Sequence, residues 1–211
     1  MATLLLGGND VLKLLEMSAI IEAVEKAFKD LGRGKAQMPP KAYLFLDRGG
    51  FRAMPAALSG AVGMKWVNVH PQNLSQGLPT VMAIIIYNDP DTGYPLAIMD
   101  ATHITAYRTG ATAAIASKYL ARQDSDTLGI VGAGRQAYTQ IIAHAQVFDF
   151  KRIKVFDLSR AAVEKLVKSF PEYPMKACTL EETAASDIVC TLTPSRAPFL
   201  KKEWIKPGDT H

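Results

Sequence analysis

Cysteine is scarce: the 211 residues hold two, Cys178 and Cys190. Their spacing matches no metal-ligand pattern, and two thiols cannot staple a small disulfide scaffold, so no metal centre is expected. They read most simply as core residues of a chain in a reducing, cytoplasmic setting. Long apolar runs are missing too. Stretches such as "VMAIII" are far too short to span a bilayer, and no secretory leader opens the chain. No membrane association is expected. Charge of one sign is not concentrated anywhere. The balance of 24 Lys and Arg against 20 Asp and Glu leaves +4, with the basic residues scattered. That pattern lacks the electrostatic footprint of a nucleic-acid binder. Repeats, low-complexity tracts and charged tails are absent as well. What remains is an ordinary globular composition, 48% hydrophobic and 21% charged, long enough for one large or two small domains.

The hydrophobic period changes twice along the chain. From Asn9 to Leu31 apolar residues recur at helical spacing, with Ser18 as a plausible N-cap. Then "KAYLFLD", "FRAMPAAL", "GMKWVNVH", "LPTVMAIIIY" and "YPLAIMD" read as short strands separated by Gly, Asp and Pro turns. Short turns between successive strands imply an antiparallel meander. A second helix is expected from Asp100, a good cap, to about Ala121. Beyond it strand and helix alternate, which means βαβ units and a parallel sheet. The expected organisation is an α+β domain over 1–120, followed by a partial Rossmann, doubly wound α/β domain over 121–211.

The third regime opens with "GIVGAGRQA". Gly132, Ala133, Gly134, Arg135, Gln136 and Ala137 form G-x-G-x-x-A after an apolar strand and before a helix. That context makes an otherwise weak motif a dinucleotide fingerprint. Gly132 permits the tight turn, Gly134 lets a pyrophosphate approach the backbone, and Ala137 lets helix pack on strand. The amino end of the helix attracts phosphate. Asp157 ends the next strand, 20 residues beyond Ala137. Its carboxylate can accept from both ribose hydroxyls and would repel a 2′-phosphate, which favours NAD over NADP; Arg160 could soften that preference. Thr191, in "DIVCTLT", joins the cofactor set. The plainer alternative is a βα turn without a nucleotide.

In the first domain three cations stand out. Lys65 shares a strand face with Gly63, Val67 and Val69, because side chains alternate along extended chain. Lysine is rarely buried without a reason. Arg108 is the one formal charge between Thr102 and Ser117, and Arg52 sits in "FRAMP". Each alone is ordinarily a snorkelling or surface-paired side chain. Beside a nicotinamide domain they suggest a cationic pocket for a carboxylate. A lysine in a dry, cationic setting exchanges protons near neutral pH. His70 and His103 are weaker candidates, and "VHPQN" could instead lock a loop.

The blocks "KAQMPPKAYLFLDRGGFRAMPAALSGAVGMKWVNVHPQN", "GLPTVMAIIIYNDPDTGYPLAIMDAT", "RTGATAAIASKYLAR" and "GIVGAGRQAYTQ" resemble the ornithine cyclodeaminase/mu-crystallin family, in phrasing nearest its archaeal alanine dehydrogenase branch. The resemblance implies a Rossmann domain plus a substrate and dimerisation domain, a homodimer, and bound NAD(H) or NADP(H). By it, Arg52 and Arg108 hold a substrate carboxylate, Lys65 supports the chemistry at the adjacent carbon, and Thr80 lies beside them. The implied reaction is NAD-dependent oxidation of L-alanine to pyruvate and ammonia. Ornithine cyclodeamination to proline, ketimine reduction, and non-catalytic NAD(P)H binding as in mu-crystallin are the alternatives on the same frame.

The chain ends "EWIKPGDTH", where the family continues and where Asp209 is an extra residue. On this reading the second half of the Rossmann domain and a catalytic aspartate lie outside the sequence. A sheet stopped midway exposes an edge, and the chain alone is expected to be a poor catalyst.

Overall fold

The computed structural model describes residues 2–195, 197–205, 208 and 210. Asp209 is outside that set. The chain divides into two compact units, Met1–Thr105 and Ala106–His211.

In the first unit the elements run β1 (Leu4–Leu6), α1 (Gly8–Leu12), α2 (Met17–Gly32), β2 (Ala42–Leu46), β3 (Gly49–Leu58), β4 (Ala61–Val69), β5 (Val81–Asn88) and β6 (Pro95–Asp100). The expected single opening helix is two helices. Glu16, not Ser18, is the N-cap of α2, and the Ser18 hydroxyl donates to the Glu16 carboxylate instead. The expected meander is present, in the order β1-β6-β5-β4-β3-β2. It gains one parallel member, β1 on β6. Three residues of strand signal no period of their own; long-range pairing holds them.

Register assigns every side chain of this sheet to a face. Lys65 lies opposite Met54 on one side and Ile85 on the other, and Ile85 opposite Met99. Val67 lies between Arg52 and Ala83. This inner face is buried at its centre, where Val67, Ala83 and Ala101 form a core with Met54, Val81, Ile85 and Ile104 packed on it, and exposed at its β2 end. The opposite, outer face carries Leu5, Leu44, Trp66, Ile84 and Ile98. There Leu5, Leu44, Ile84 and Ile98 are exposed.

The division between the units falls inside α3 (Thr102–Leu120). Ala101 occupies the N-cap position, its carbonyl accepting from the Thr105 amide, and Asp100 one residue earlier takes up the first helical amide, its Oδ1 accepting from Thr102 at 2.9 Å. The second unit then runs β7 (Thr127–Val131), α4 (Arg135–His144), β8 (Arg152–Phe156), α5 (Arg160–Lys168), β9 (Met175–Ala177), α6 (Leu180–Ala184) and β10 (Ile188–Thr191). All pairings among these strands are parallel, in the order β10-β7-β8-β9. Leu128, Ile130, Ile141, Ile153, Val155, Leu166 and Ile188 fill its core. Near-continuous apolar strands are what a sheet covered on both faces requires.

Close packing here has a named dependence. A Cβ on Gly110 of α3 would collide with the Thr139 carbonyl of α4. Gly110→Val is expected to cost about 1–3 kcal/mol, read as a lowered urea midpoint; an unchanged midpoint would contradict this contact.

Among the described residues no helix is long and apolar enough to cross a membrane.

Candidate functional site

The parallel sheet is built for a ligand at one place. The chain proceeds from β7 to β8 to β9 in one direction, then returns to the far side of β7 as β10. The reversal leaves a crevice outside the carboxyl ends of β7 and β10, the usual ligand position in open α/β sheets. The glycine loop leaves β7 there. Val131 lies opposite Thr191, so Thr191 ends β10 on the other lip. Gly132 has φ +109°, a conformation side chains resist, and a Cβ there would lie 3.1 Å from the Leu192 carbonyl carbon. A Cβ on Gly134 would meet nothing within 4 Å. The backbone before α4 is therefore open to an approaching group. Arg135 and Gln136 begin α4, and Ala137 is fully buried beneath it.

Asp157 closes the loop from the neighbouring strand. Its Oδ2 accepts from the Ala133 amide at 2.7 Å and its Oδ1 from the Ser159 amide at 2.8 Å. The loop, the open helix end and an acidic group after β8 fit a dinucleotide: pyrophosphate against Gly134 to Gln136, ribose against Asp157.

In the first unit, Arg52 and Lys65 lie on the same inner face, one register step apart on adjacent strands. Lys65 is 9% exposed, in a row with Met54 and Ile85. Arg52 is exposed, with its guanidinium carbon 5.6 Å from the centre of the Tyr43 ring directly opposite. Among the sheet positions of this face there is no carboxylate; the rest are Gly, Ala, Val, Leu, Ile, Met and aromatic side chains. Thr80 precedes β5, and its carbonyl accepts from the His70 amide at 2.8 Å.

His70 sits on the other face. It packs edge-on against Phe51, which is stacked on Trp66. Asn68 Oδ1 accepts from the Met82 amide, so its Nδ2 donates to His70 Nδ1 at 2.9 Å. The ring is thereby held as the Nε2–H tautomer, facing away from Lys65. This is the loop-lock alternative for "VHPQN".

Arg108 belongs to the second unit. Burial pulls its pKa down, and its buried Nε has no hydrogen-bond partner among the described residues. A half-buried guanidinium left this way is one that an anion would satisfy.

One buried cluster was not foreseen from the sequence. His144 is completely buried; its Nδ1–H donates to the Gln140 carbonyl at 2.8 Å. Nε2 must then accept, and the Ser117 hydroxyl donates to it at 3.0 Å. Cys190 Sγ lies 3.8 Å from the same nitrogen and 3.9 Å from Gln140 Oε1. Burial drives the His144 pKa down to about 4 and the Cys190 thiol up to about 12. With His144 fully and Ser117 almost fully buried, the group ties α3, α4 and β10 together.

The ornithine cyclodeaminase/mu-crystallin family model matches residues 1–211. The chain belongs to this family. An alanine dehydrogenase from Archaeoglobus fulgidus is 48% identical over 213 residues, covering all of this chain and 66% of that protein. An ornithine cyclodeaminase from Agrobacterium fabrum is 37% identical over 161 residues, covering 74% of the chain and 46% of its own length. Among solved structures, an archaeal alanine dehydrogenase dimer with bound NAD superposes with a TM-score of 0.95 at 47% identity, over 99% of this chain and 66% of that one. The chain thus spans just under two thirds of these alanine dehydrogenases, and the family mixes dehydrogenases with cyclodeaminases.

Proposed function

We propose that the protein is an NAD-dependent amino-acid oxidoreductase acting on L-alanine, with pyruvate and ammonia as products. One observation carries the choice of substrate. The inner face of the first-unit sheet presents Arg52 and Lys65, no carboxylate, and otherwise uncharged, mostly apolar positions. Such a face suits a carboxylate on a small apolar side chain. The similarity to alanine dehydrogenases supports the same reading.

NAD, when bound, supplies the two-electron acceptor. The chain's own residues do the rest. Gly132 to Ala137 receive the pyrophosphate, Asp157 the ribose, and Thr191 borders the crevice. Arg52, on the same face as Lys65, holds the substrate carboxylate, and Arg108 is the anion-binding candidate of the second unit. Lys65 stabilises the developing carbonyl oxygen or exchanges a proton with it, and Thr80 lines the pocket.

The exposed apolar face bearing Trp66, Ile84 and Ile98 supports a homodimer, since monomers rarely leave such patches open. The two free thiols suit a cytoplasmic setting.

The test is binding. NADH fluorescence should report cofactor binding, and pyruvate should add to form a ternary complex. Arg52→Gln is expected to weaken pyruvate roughly 10- to 100-fold, from the loss of a charge-assisted pair, with NADH affinity unchanged. Pyruvate affinity equal to wild type would remove Arg52 from the site.

A further inference from the structure

Asp157 is not alone at the amino end of α5. Arg160 is the first residue of that helix, and Glu164 follows one turn later. Arg160 Nε donates to Glu164 Oε1 at 3.1 Å, with the two side chains 93% and 53% exposed. Three charges therefore stand near the place where the ribose hydroxyls would lie.

They differ in freedom. Asp157 is pinned by two backbone amides, Ala133 and Ser159, and cannot swing aside for an incoming phosphate. Among the described residues, Arg160 is held only by a solvent-exposed ion pair of the weak i,i+4 kind. The helix end does not depend on it. Ser159 caps α5 by accepting from the Ala162 amide at 3.3 Å. So the carboxylate that repels a 2′-phosphate is fixed, and the guanidinium that would attract one is adjustable.

We propose that Glu164 is a specificity-determining residue: by engaging Arg160 it withholds a guanidinium from the 2′ position and reinforces the selection of NAD over NADP by Asp157. The assignment rests on the cofactor reading above. A 2′-phosphate carries nearly two negative charges and offers Arg160 a better partner than one exposed carboxylate. With Glu164 in place, that exchange must break the existing pair and accept a second nearby anion. With Glu164 neutral, neither cost applies.

The experiment is fluorescence titration of the purified chain with NADH and with NADPH, for wild type, Glu164→Gln, and the double variant Arg160→Gln/Glu164→Gln. Thermal melts confirm folding of each. Glu164→Gln is expected to tighten NADPH on the order of 5- to 10-fold, from removing one like charge and freeing one opposite charge. NADH should stay within about twofold, since the ribose contact to Asp157 is untouched. The gain should vanish in the double variant and shrink as salt is raised. An unchanged NADPH-to-NADH ratio in Glu164→Gln, with NADH still bound, would overturn the role of Glu164 alone. A gain that persists without Arg160 would do the same. Failure of the wild-type protein to bind NADH would overturn the cofactor reading, and this inference with it.

Discussion

On the proposed function, Lys65→Met is expected to lower turnover with NAD and L-alanine on the order of 10²- to 10⁴-fold, the range for losing a positioned acid–base group. The fold should survive the change. Lys65 sits between Met54 and Ile85 on a buried face, and methionine matches the length and apolar character of that row. NADH affinity should stay at the wild-type value, because the glycine loop belongs to the other unit. The comparison therefore separates a chemical role from a structural one. Melting temperature and NADH affinity stay, and turnover goes. Turnover within tenfold of wild type would mean that Lys65 is there for packing.

The second large effect concerns acid stability. His144 is neutral in the fold, with its pKa lowered from 6.5 to about 4 by burial. Above pH 6.5 the folded and unfolded chains carry the same proton count at this ring, and its full stabilisation is present. As pH falls below 6.5 the unfolded state takes up a proton that the native state refuses. Stability then drains away until the folded pKa is reached. Between pH 7 and pH 5 the loss is about 2 kcal/mol, since one proton taken up only by the unfolded chain costs about 1.4 kcal/mol for each pH unit below 6.5. Urea midpoints at the two pH values measure it, and His144→Gln should flatten the difference. Asp187 does not confuse the window. Burial pushes its pKa up, but bonds from Thr127 and Asp126 and the charge of Arg122 outweigh that and lower it overall. Its contribution is lost only as pH falls below the ordinary carboxylate range. A pH dependence that persisted in His144→Gln would assign the acid sensitivity elsewhere.

Much of this was legible before the fold was known, and the reasons are local. The glycine loop, its flanking strand and helix, and Asp157 are encoded within a short span, and each residue answers to one steric or electrostatic need. The burial of Lys65 follows from parity along one strand. The same parity places His70 opposite Lys65, because positions 68 and 70 share a face that 65 and 67 do not. What escaped was nonlocal. β1 is too short to show a period and exists through its pairing with β6. The break between α1 and α2 lies in "KLLE", where apolar spacing continues without a stop signal. The Ser117–His144–Cys190 cluster joins residues far apart in sequence. Its only advance sign was a run of small residues in α3 that allows α4 close.

The most direct test of the central claim is an assay of the purified chain with NAD and L-alanine, run beside L-ornithine with proline and ammonia measured. The account predicts NADH formation with alanine, however slow, and none with ornithine. Proline and ammonia from ornithine without net NADH would contradict it, as would bound cofactor that alanine never reduces.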